Sequence, residues 1–190
     1  MNRAAIPGLA EAVQQEAHRR VASFTPETKR VAGVNLLPLT PGKLAVLESI
    51  GCPVVAGVEF PEPEDVAIFL WFLCEDFKVD AKAQAKFIKR ICAVDYFVAL
   101  TECQTWFKEQ FADCPSAPKN DTRNSYVSWI ASLVDCVASE YGWSEEQILE
   151  VPLVRLMQYV RAIQMRHDPS RPMFNPSDKI KGDYLAQQKN

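Results

Sequence analysis

Apolar side chains recur along this chain mostly at spacings of three and four, the repeat of a helix with one buried stripe, and capping residues, prolines and glycines punctuate the stripes. Leu9, Val13, Ala17 and Val21 form a weak stripe over about residues 8–22, which Pro26 ends. From 23 to 38 no period is sustained, and Val31, Val34, Leu36 and Leu37 suit either an extended strap lying in a groove or an ordinary surface connection. Thr40 as N-cap and Pro41 at the first helical position then open a short buried helix that carries Leu44, Val46, Leu47 and Ile50, and Gly51 closes it. After an irregular loop over residues 52–61, Glu62-Pro63-Glu64-Asp65 supplies the acids and proline that a helix N-terminus favours. The helix that follows, to about Asp76, is apolar on all sides from Val66 to Leu73, so it is expected to be enclosed and central.

A long helical region is predicted from about Asp80 to Ala112. Phe87, Ile91, Val94 and Val98 share one stripe, Cys103, Trp106, Phe107 and Phe111 continue it after a shift, and the shift implies a kink or break near Leu100. Pro115 to Asp121 reads as a linker or a helix–helix loop. Beyond it a helix over about 122–141 presents Tyr126, Trp129, Ile130, Leu133, Val134 and Val137 to the core. Tyr141-Gly142-Trp143-Ser144 then packs a stop and a start into four residues. Gly142 suits the left-handed position that ends a helix, Ser144 and Gln147 suit a capping box, and Trp143 and Ile148 stand where a hydrophobic staple needs them. Pro152 suits the first position of a last helix, which closes at Asp168-Pro169.

The pattern therefore predicts an all-α fold, a single helical domain of about six to seven helices with an extended N-terminal arm and a flexible C-terminal tail. The arm is residues 1–38 with one weak helix, the core domain 39–167 and the tail 168–190. A compact domain of 190 residues buries roughly 70% of the surface its unfolded chain exposes, enough for a substantial core.

Charge changes the picture little. Lys and Arg number 21 against 24 Asp and Glu, so the formal net charge of −3 gives no field that draws nucleic acid or anionic lipid. Lys82, Lys86, Lys89 and Arg90 gather on one side of the long helical region, which suits a basic docking patch or a solvated face. The longest apolar run, Val66 to Cys74, is far short of the ~20 residues that span a bilayer, so neither a nucleic acid nor a membrane is the expected partner. Cys52, Cys74, Cys92, Cys103, Cys114 and Cys136 lie mostly on predicted helices among apolar neighbours, the arrangement of free thiols in a reducing cytoplasm.

The chemistry of catalysis is missing from the pattern. The chain has two histidines, His18 and His167, both in flanking segments, no Cys-x-x-Cys pair and no glycine-rich phosphate loop, so no catalytic residue, cofactor or metal is expected. The carboxylates at Glu62, Glu64 and Asp65 and at Glu145 and Glu146 are accounted for as helix starts. Trp71, Trp106, Trp129 and Trp143 sit in apolar helical patterns and read as core.

Two segments, Leu39 to Pro53 with the Asp65–Cys74 helix after it and the Tyr141-Gly142-Trp143-Ser144 corner through Arg161, together resemble the phage tail assembly chaperones, in the same order. The resemblance covers about a third of the chain, carries no catalytic signature, and leaves the arm before Pro38 unmatched. It implies an all-helical, non-enzymatic protein of the host cytoplasm that binds apolar stretches of the long tape measure protein, or another tail protein, with homo-oligomerisation as an option. A structural virion component, a connector, adaptor or minor tail protein whose arm and tail order on assembly, fits the same anatomy. Holding varied apolar helices needs an apolar groove. The expected partner-binding positions are Val54, Val55, Val58 and Phe60 in the loop before the central helix, and Met157, Val160 and Met165 on the last helix.

Overall fold

A computed structural model describes residues 9–112, 114 and 128–168. These residues form eight helices and one hairpin: α1 Leu9–Ala22, β1 Lys29–Val31, β2 Val34–Leu36, α2 Pro41–Ser49, α3 Pro63–Leu73, α4 Ala81–Ile91, α5 Tyr96–Gln110, α6 Trp129–Tyr141, α7 Glu145–Glu150 and α8 Leu153–His167. The fold is all-α apart from the hairpin, as the periodicity predicts. The Pro115–Asp121 linker, Tyr126 and the tail beyond Asp168 lie outside the described residues.

The caps form where the side chains to make them stand. Thr40 accepts from the amide of Lys43, Asp80 from those of Lys82 and Ala83, and Asp95 from that of Val98. At the corner, Gly142 takes φ 66°, and Ser144 and Gln147 exchange hydrogen bonds of 3.0 and 3.3 Å that complete the capping box. Ile148 is fully buried beneath that box, while the Trp143 ring lies against Tyr141 and Tyr159.

α3 is the axis of the core. Its Val66, Ala67, Phe69, Leu70, Trp71 and Leu73 are buried, and α4, α5 and β2 lie against it. Phe69 meets Trp106 and Phe107 edge-on, both at 6.0 Å between ring centroids. α7 touches both α2 and α6, and α6 touches α8, so the corner joins the C-terminal helices to the rest.

The stretch 23–38 holds more structure than a strap. β1 and β2 pair antiparallel, with Val31 opposite Val34, around a two-residue turn in which Ala32 and Gly33 both take positive φ (48° and 76°). A Glu102 carboxylate oxygen on α5 accepts the Ala32 amide at 2.6 Å and anchors the turn. Val31, Val34 and Leu36 point into the core. Cys74 bridges to Leu36, and the amides of Leu37 and Glu75 donate to the carbonyls of Leu73 and Asn35, so the end of α3 covers the outer edge of β2. The strand was not legible because three residues a side are too few to show a period of two.

Four expectations are corrected. The helix break falls at Cys92–Asp95, ahead of Leu100, because Asp95 caps a new helix, and Val94 and Val98 consequently turn outward. Val46 and Ile50 lie on the exposed side of α2, whose core contacts are made by Leu44 and Leu47. Trp129 is exposed at the first turn of α6, against Phe111, whereas Trp71 and Trp106 are core. Pro152 stands as the N-cap of α8, one residue before the first helical position.

Candidate interaction surface

The loop from Cys52 to Pro61 is an irregular run of turns with one inward and one outward side. Cys52 and Val54 are buried, and Val54 is only 6% exposed, so it fills the core. Val55 is half-buried against that core. Val58 and Phe60 turn to solvent, 46% and 63% exposed. Their position is fixed from α5: the Tyr96 hydroxyl donates to the Pro61 carbonyl at 2.5 Å, and the Gln104 side-chain amide donates to the Glu59 carbonyl at 3.4 Å. The neighbouring Phe97 ring lies against Tyr96 at 5.2 Å and is 67% exposed. Val58 and Phe60 thus lie exposed on a loop clamped to the start of α5, where Phe97 is exposed as well. Scattered exposed apolar residues need no explanation, but large aromatic ones held in place around one anchored tyrosine suit protein contact.

The last helix separates differently. Met157, 1% exposed, is core, and Val160 is half-buried against the core. Met165 is half-buried near the C-terminal end of α8. Of the seven expected positions, therefore, Val54 and Met157 are corrected to packing residues. A helical period marks which residues share a face, and the face that held Met157 is the one α8 turns inward with Leu153, Leu156 and Ile163. Phe97 was missed for the converse reason: its exposure follows from the break at Cys92–Asp95, whose place the stripe did not give.

No group of three or more His, Cys, Asp and Glu side chains is disposed to hold a metal ion among the described residues. His167 pairs with Glu140, as does Arg166 at 2.7 Å, and the two tie the last turn of α8 to α6. His167 and Arg166 together hold the Glu140 carboxyl below the usual carboxylate range. No disulfide joins the cysteines among the described residues; burial raises their thiols, and Cys103 is pushed up to about 12. No helix among the described residues is long and apolar enough to cross a membrane. An aromatic cluster of Phe24, Tyr141, Trp143 and Tyr159 staples the end of the arm to the corner, with Arg155 over the Phe24 and Tyr159 rings.

No protein-family model matches this chain, and no curated protein and no solved structure matches it significantly.

Proposed function

We propose that this chain is a non-enzymatic phage tail assembly chaperone that holds apolar stretches of the tape measure protein during tail morphogenesis in the host cytoplasm. The observation that carries the proposal is the exposure of Val58 and Phe60 on a loop anchored by Tyr96, with exposed Phe97 beside that tyrosine, which offers aromatic surface on a fixed backbone. Support also comes from the two sequence segments that resemble the family, the first of which contains α2 while the second contains the corner. Cysteines that form no disulfide among the described residues suit a reducing compartment.

Co-expression with the tape measure protein, followed by affinity capture and mass measurement, tests this reading. The expected result is a soluble complex that Phe60→Asp with Phe97→Asp weakens by at least about tenfold, the scale of losing an aromatic anchor, with the helical circular dichroism unchanged. Absence of a complex, with recovery of the chain in purified particles, would sink the chaperone reading and move the protein to the structural virion components.

A further inference from the structure

A second surface lies at the corner. α7 forms the floor of an open groove of about 790 Å³ whose walls are α2 and the stretch of α6 from Ser128 to Ala138. Val134, Ala138 and Leu149 line its apolar part, and Glu48, Asp135 and Glu145 stand along it as three exposed carboxylates. The wall on α6 is about 16 Å long at 1.5 Å per residue.

α4 has the complementary form. Its core side is held by Phe87 and Ile91, and its outer side carries Lys82, Lys86 and Lys89, one row at spacings of four and three. Beside that row Ala81 and Ala85 are exposed and small enough for close approach of another helix. The helix is about 16 Å long, the length of the groove wall. Among the described residues, none of the three lysines and none of the three carboxylates forms an ion pair.

We propose that the occupant of the groove is α4 of a second copy of this chain, with Lys82, Lys86 and Lys89 facing Glu48, Asp135 and Glu145. One copy's helix seats in the next copy's groove, so the contact is heterologous and each pair keeps one groove and one helix free to continue the assembly. Such a contact closes into a ring or propagates as a filament, according to the rotation between subunits. Val58, Phe60 and Phe97 have no part in it, and the proposal stands or falls apart from the chaperone reading.

Charge reversal with exchange tests it. Lys82→Glu with Lys86→Glu makes helix and groove both negative, and Glu48→Lys with Asp135→Lys makes both positive. Each variant then repels itself, while in a mixture every helix meets a groove of opposite charge. By sedimentation velocity at low ionic strength, the wild type is expected to exceed monomer mass and to lose that mass as salt is added. Each variant alone is expected to associate at least about tenfold more weakly, and an equimolar mixture to regain wild-type mass. The exposed positions leave the fold intact, which circular dichroism checks. A wild type monomeric up to about 1 mM overturns the proposal. So does association that survives either reversal, or that is not regained on mixing.

Discussion

At the scale of single residues, Phe69 is the point where the fold is most sensitive. It is fully buried and meets two aromatic rings from α5 edge-on, so its removal leaves a cavity walled by Trp106 and Phe107. Phe69→Ala is expected to cost about 3–5 kcal/mol, read as a lower midpoint of denaturant unfolding with an unchanged slope. Thiol labelling offers a reading of burial at the same scale. Cys92 is exposed, whereas Cys103 is fully buried with its thiol raised to about 12. In native protein at neutral pH an alkylating reagent should modify Cys92 first and leave Cys103 untouched until denaturant is added. Early modification of Cys103 would contradict the place given to α5 against α3.

Among the elements, α2 and α7 meet closely at Gly42. A Cβ built on Gly42 would stand 3.0 Å from the Leu149 carbonyl oxygen, a backbone atom that a side-chain rotation cannot remove. Gly42→Val is therefore expected to destabilise by about 1–3 kcal/mol through overpacking, visible in thermal unfolding. α1 depends on pH instead. Arg19, helped by Arg20, lowers the Glu16 carboxyl from 4.5 to about 2. A depressed carboxyl contributes its stabilisation above the unfolded value of 4.5, and the contribution fades as pH falls through about 2. Far-ultraviolet circular dichroism should show helix lost over that window, and Glu16→Gln should remove this part of the acid transition. Helix starts were the most legible feature, because Thr40, Asp80 and Ser144 signal through their own side chains. Faces were less so: Val46 and Met157 share the apolar character of their neighbours, and only tertiary contact decides which turns outward.

Across the whole molecule, what the pattern could not give was long-range pairing. The hairpin is too short to announce itself, and its anchors at Glu102 and at the end of α3 are far along the chain from it. Of the candidate surface, Val58 and Phe60 were visible as apolar residues in a loop, yet the loop is held in place because Tyr96 reaches the Pro61 carbonyl from α5. The same long reach appears where the Leu39 carbonyl accepts the amide of Leu153, at the first turn of α8. During synthesis Leu39 emerges on the order of 10 s before Leu153 exists, at ~5–20 residues per second. Leu36 and Leu39, both fully covered in the finished fold, belong to a segment whose closing contact is made only then. A ribosome-bound chain halted before α8 should accordingly stay open to protease near residue 39, and release of the last helix should close that window.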